Sequence, residues 1–167
     1  MAVAKNAVDR LLRAAAEART RAYAPYSGFA VGAAVLANGR LYSAANIENS
    51  AFPLSVCAER NAVAAAVSSG ARRIDAIAVV GGDTRPTAPC GGCRQVLAEF
   101  APASAPVAYA TRSGKRVMTT LGALLPDAFS ARDLKEARPG SKGNRAVRAP
   151  GKRRSAARAR ASRTSGR

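Results

Sequence analysis

Between Val3 and Leu125 the chain alternates stretches of helical and strand character, and this alternation restricts its fold more than any other feature. Val8, Leu11, Leu12 and Ala15 recur at helical spacing among charged residues, which predicts an amphipathic helix from Val3 to Arg21, ended by Ala24-Pro25-Tyr26-Ser27-Gly28. Phe29 to Leu36 is apolar and β-prone, Asn38-Gly39 is a strong short hairpin signal, and Arg40 to Ala45 returns as a second strand. After a loop from Asn46 to Val56, the Ala-rich stretch Cys57 to Val67 predicts a helix stopped by Ser68-Ser69-Gly70. Ile74 to Val80 predicts a third strand, and Gly92 to Phe100 a third helix after a Pro-flanked loop. Pro106 to Thr111 and Arg116 to Thr119 are further strand candidates, and Leu121 to Leu125 forms a short helix before Pro126. Such an order calls for an α/β layered domain with helices on the faces of one sheet.

Beyond Leu134 the pattern stops. Residues 135–167 are Arg, Lys, Ser, Gly, Ala and Pro with almost no large apolar side chain, so they cannot bury enough surface to offset their ordering entropy. We expect one folded domain over 1–134 and a disordered basic tail over 135–167. The formal charge of +17 divides along the same line. Residues 1–134 hold 15 Lys/Arg against 9 Asp/Glu, giving +6, and residues 135–167 hold 12 against 1, giving +11. The excess that suggests a nucleic-acid partner therefore belongs to the tail, which is expected to bind nucleic acid weakly and salt-sensitively or to be a solvated extension. No stretch has the apolar length of a signal peptide or of a membrane span, about 18 residues, so no membrane association and a cytoplasmic location are expected.

The chain has no histidine, which removes Ser-His-Asp and Cys-His catalysis and leaves thiolates and carboxylates as the anionic metal ligands. Its three cysteines stand where helices are predicted to begin: Cys57 opens one, and Cys90 and Cys93 bracket the turn into the next. Helix N-termini favour the thiolate that zinc requires. A structural zinc closes with four Cys or His ligands; Cys57, Cys90 and Cys93 supply three, so a zinc site within one chain keeps a position open, as catalytic sites do. A redox pair at Cys90 and Cys93 is the rival reading, and it leaves Cys57 and the adjacent Glu59 without a role. Glu59 is the candidate proton carrier. Arg60 and Arg94 are expected to hydrogen-bond the ligand sulfurs and offset the net negative charge of three thiolates on Zn²⁺.

Asn46-Ile47-Glu48-Asn49, Cys57-Ala58-Glu59-Arg60 and Pro89-Cys90-Gly91-Gly92-Cys93-Arg94-Gln95 together resemble the small homotetrameric zinc-dependent cytidine deaminases. The resemblance runs from about Tyr23 to Leu134 and takes in Tyr23 to Gly32 and Leu124-Leu125-Pro126-Asp127-Ala128-Phe129. It implies a three-layer α/β/α sandwich with a mixed sheet, one Zn²⁺ per chain, and hydrolytic deamination of cytidine and deoxycytidine to uridine and deoxyuridine. It also implies site roles. Asn46 and Glu48 read the ribose 3′-hydroxyl, Phe29 lines the base pocket, and the Ala58 N–H and Cys90 carbonyl meet the pyrimidine edge. Phe129 stacks on the base of a neighbouring subunit's site, and Glu59 moves protons from water to N3 and then to the departing amine. Phe52 departs from the pattern, since many members carry Tyr there.

Overall fold

The computed structural model describes residues 5–137; the basic stretch expected to be disordered lies, from residue 138 onward, outside the described residues. Five strands form one mixed sheet: β1 (Gly32–Ala37), β2 (Arg40–Ala45), β3 (Ala76–Val80), β4 (Pro106–Ala110) and β5 (Arg116–Thr120), in the order β2-β1-β3-β4-β5. Only β3 and β4 run parallel; every other neighbouring pair is antiparallel. The parallel pair exists because a helix crosses between those two strands, whereas Asn38-Gly39 closes β1 onto β2 directly. Both turn residues adopt positive φ, 51° and 72°, as the tight hairpin turn requires.

The described residues form five α-helices, α1 (Lys5–Arg19), α2 (Ala58–Ser68), α3 (Gly91–Phe100), α4 (Leu121–Leu124) and α5 (Ala131–Ala137), of which α1, α2 and α3 cover the sheet. Alternate strand residues separate two cores. Ala33, Val35, Ile77, Val79 and Val107 pack on Ala62, Val63, Ala66 and Leu97 of α2 and α3. Ala34, Ala78, Val80, Ala108 and Ala110 pack on Val8, Leu11 and Ala15 of α1. The layering is α/β/α, as the resemblance implies. Small side chains let α1 lie almost on the sheet backbone: a Cβ at Gly32 would stand 2.0 Å from the Ala15 carbonyl oxygen. Among the described residues no helix is long and apolar enough to cross a membrane.

Most element ends shift from the sequence reading by one or two residues, as in β3, which begins at Ala76 rather than Ile74, and two differences are larger. Strand β1 begins at Gly32 rather than Phe29, because from Phe29 to Val31 the backbone pairs mainly with side chains: Val31 N–H donates to Asn46 Oδ1 at 2.8 Å, Asn46 Nδ2 donates to the Phe29 carbonyl at 3.0 Å and Arg19 Nε to the Ala30 carbonyl at 3.0 Å, and only the Val31 carbonyl takes a backbone bond, from Asn46 N–H at 3.1 Å. Helix α5, which the pattern beyond Pro126 did not predict, crosses Leu134 and is opened by Ser130, whose N–H and hydroxyl both donate to Asp133 Oδ2.

Candidate active site

The cysteines converge. Cys57 is the residue capping the N-terminus of α2 and Cys90 caps α3, each with extended backbone (φ −67°, ψ 152° and φ −66°, ψ 165°), while Cys93 lies one turn inside α3 and is fully buried. Their three Sγ atoms all lie within 4.8 Å of one another. Tetrahedral zinc with Zn–S bonds of about 2.3 Å holds sulfurs about 3.8 Å apart, so the group fits the metal after a contraction of about 1 Å or less. Two helix N-termini aimed at one point add backbone N–H groups and dipoles that favour negative sulfur. The Cys57 thiol is lowered to about 5, chiefly by the Cys93 thiol beside it and also by Arg60; Cys93 is pushed up, first by Cys57 and then by burial.

Arg60 reaches Cys57 Sγ at 3.9 Å and donates to the Ser55 carbonyl at 2.9 Å, which sets its charge beside the sulfur. Arg94 does not take the expected part. Its Nε donates to the Pro89 carbonyl at 2.7 Å and its Nη1 to the Leu124 carbonyl at 2.9 Å. Following Cys93 on α3, its side chain runs back across the helix start toward those carbonyls, and it braces the approach to Cys90 against the end of α4 instead of touching sulfur.

A cavity of about 200 Å³ opens beside the sulfurs. Phe29, Asn46, Glu48, Cys57, Ala58, Glu59 and Cys90 all line it. Glu59, in the first turn of α2, is 5% exposed, and burial pushes its carboxyl up, opposed by its own N–H and reinforced by the charge of Cys57. Ala58 is the first residue of α2, where backbone N–H groups lack an intrahelical acceptor. The Cys90 carbonyl accepts the first bond of α3, from Arg94 N at 3.0 Å.

The opposite wall is an irregular segment pinned by backbone pairing. Tyr23 N donates to the Asn46 carbonyl at 3.0 Å, Glu48 N to the Tyr23 carbonyl at 2.8 Å, and Ile47 exchanges bonds with Val56. Asn46 spends its amide on Phe29 and Val31, so it shapes the wall that carries Phe29 as well as facing the cavity. The Glu48 carboxylate accepts from Tyr26 N at 2.9 Å, Ser27 N at 3.1 Å and the Ser27 hydroxyl. The Ser27 hydroxyl bond, the largest cause, holds Glu48 below its ordinary range.

Phe129 is not brought to this cavity: it is 59% exposed, and its carbonyl accepts from Gln95 Nε2 at 2.7 Å. Phe52, also exposed, sets its ring edge-on to Tyr26 with centroids 5.9 Å apart. Sequence reading missed Ser27, Val31, Val79, Thr87 and Ala88, which also line the cavity. Thr87 would have been hard to find, because it sits in the Pro-flanked loop and packs against Gly81 and Gly82 only in three dimensions. Ser27 had a signal, a hydroxyl in the turn before the first strand.

Residues 5–109 match the family model described as the cytidine and deoxycytidylate deaminase zinc-binding region. The chain is 49% identical over 128 residues to the cytidine deaminase of Sporosarcina psychrophila, spanning 76% of this chain and 94% of that one. It is 43% identical over 121 residues to a cytidine deaminase of Mycobacterium tuberculosis, spanning 72% and 87%. The crystal structure of a cytidine deaminase from Burkholderia pseudomallei superimposes with a TM-score of 0.70 at 44% identity, covering 76% of this chain and all of that one. With its thiol cluster, buried glutamate and sandwich fold in the same places as its sequence motifs, the chain belongs to the zinc-binding cytidine deaminase family.

Proposed function

We propose that this chain hydrolyses the 4-amino group of cytidine and deoxycytidine, giving uridine or deoxyuridine and ammonia. One observation carries the reading: a buried carboxylate, Glu59, shares a nucleoside-sized cavity with two members of a three-sulfur cluster. Cys57, Cys90 and Cys93 would hold Zn²⁺, which supplies Lewis acidity and lowers the pKa of water. The remaining work falls to the chain. Helix α2 carries Glu59 into the cavity within one turn of Cys57, where it takes a proton from water, delivers it to N3 of the base and then serves the departing amine. The Ala58 N–H and Cys90 carbonyl orient the pyrimidine, and Phe29 packs on it. Asn46 and Glu48 take the ribose hydroxyl, which favours a nucleoside over a free base. Arg60 tempers the charge of the sulfurs.

The catalytic unit corresponds to residues 1–134. We place the protein in the cytoplasm as a homotetramer in which Phe129 closes a neighbouring chain's site; the exposure of Phe129, Phe52 and Leu54 supports this assembly. The basic tail over 135–167 contributes weak, salt-sensitive nucleic-acid binding, checked by comparing retention of the full chain with a version ending at Ala137, which keeps α5 whole. An ultraviolet assay with cytidine, deoxycytidine, cytosine and a short single-stranded oligonucleotide tests the main reading. Turnover of the first two with about one zinc per chain is expected; a metal-loaded protein inert toward both nucleosides overturns it.

A further inference from the structure

Adjacent residues of β3 floor two different cavities. Val79 faces α2 and α3 and lines the catalytic cavity, whereas Val80 faces α1 and floors a second groove of about 310 Å³ on the other side of the sheet. Leu12 and Ala16 of α1, with Val80 and Ala110, make its apolar base. Its rim carries three guanidinium groups, Arg13, Arg112 and Arg116, and a single carboxylate, Asp9. Asp9 is committed to Arg116 at 2.6 Å. Arg112 has only a long, solvent-screened pair to Asp83, at 3.5 Å, and Arg13 makes no ion pair among the described residues. The groove therefore keeps two cations beside an apolar base.

We propose that this groove binds a nucleoside monophosphate. Arginine forks match phosphate oxygens, and Arg13 and Arg112 are the groups with donors to give. An apolar base with a few polar groups at its edge, in a volume of about 300 Å³, suits a flat ring attached to a charged group. The catalytic cavity has the opposite character: no Lys or Arg lines it and the Glu48 carboxylate does, which disfavours a phosphorylated ligand. Arg112 would exchange Asp83 for phosphate, leaving Asp83 with Arg19, which already holds it at 3.2 Å. The two cavities thus divide neutral from phosphorylated nucleosides by charge.

The test is calorimetric titration of the full chain with adenosine 5′-monophosphate at about 0.15 M salt, with adenosine and inorganic phosphate titrated separately. The monophosphate is expected to bind about tenfold more tightly than either part. The pair Arg13→Gln/Arg112→Gln should weaken it at least about tenfold. Arg40→Gln/Arg132→Gln removes the same charge at two exposed positions that do not line the groove and should change it less than about twofold. Arg13→Gln alone, at an exposed position of α1 that leaves every ion pair among the described residues in place, should weaken binding several-fold and secures the test against misfolding of the double variant. Equal weakening by the two double variants, phosphate binding as tightly as the monophosphate, or no binding by the parent protein would each overturn the proposal.

Discussion

The floor and the rim of the catalytic cavity are built by different means. At the floor, Cys93, Ala58 and Glu59 are buried, and their positions follow from two helices whose first turns meet. At the rim, Phe29 is 43% exposed, with Tyr26 at 50% and Phe52 at 69% beside it, and Phe29 and Tyr26 rest on irregular chain held by the side chains of Asn46 and Glu48. The floor is over-determined by one chain. At and beside the rim, the rings of Phe29, Tyr26 and Phe52 are left open to solvent. Catalytic chemistry should therefore depend on the floor within a single chain, and substrate affinity on a rim completed by another.

The largest effect expected is at the floor. Glu59→Gln should lower turnover on the order of 10³-fold while leaving zinc content unchanged, measured by ultraviolet assay and metal analysis; retained turnover would remove Glu59 from the chemistry. Arg60→Gln should come next, at about tenfold in turnover with weaker zinc retention against a chelator, because Cys57 loses its cationic neighbour. At the rim, Phe129→Ala should raise KM several-fold with little change in kcat, as loss of one stacking contact would. Mixed assemblies sharpen this: if sites are shared, combining Phe129→Ala chains with Glu59→Gln chains should recover low-KM sites in statistical proportion. Affinity independent of mixing would mean that each chain closes its own site.

The smallest effect is a pH dependence at Glu48. Its carboxyl lies below the ordinary range, so its hold on the Tyr26–Ser27 turn is complete at neutral pH and is lost only as pH falls through that lowered value. Ser27→Ala removes the main cause of the shift and should move the onset of thermal destabilisation upward, toward the ordinary carboxylate range near pH 4.3. An unchanged onset in Tm scans would show that Ser27 does not hold the carboxylate.

The floor was legible because its determinants are local. A helix start follows from a few neighbouring residues, so Cys57, Glu59, Cys90 and Cys93 could be placed on first turns from pattern alone. Asn38-Gly39 gave the hairpin for the same reason. The rim was less legible. Phe29 reads as a strand residue until the Asn46 side chain, seventeen positions away, occupies its carbonyl. Arg94 stands beside a ligand cysteine in sequence, yet its guanidinium goes to a carbonyl thirty positions on. Neither partner choice has a periodicity to announce it.

By itself the sequence determined the alternation of elements, the donor set of three sulfurs and a glutamate, and the family, because each is a property of short segments or of residue identity. Only the tertiary structure decided that the sulfurs come within 4.8 Å of one another and that Arg94 braces backbone. It also decided that the faces of β3 serve two cavities of opposite charge. These depend on which distant segments meet across the sheet. Such meetings are set by packing of the whole core, which a single segment does not encode.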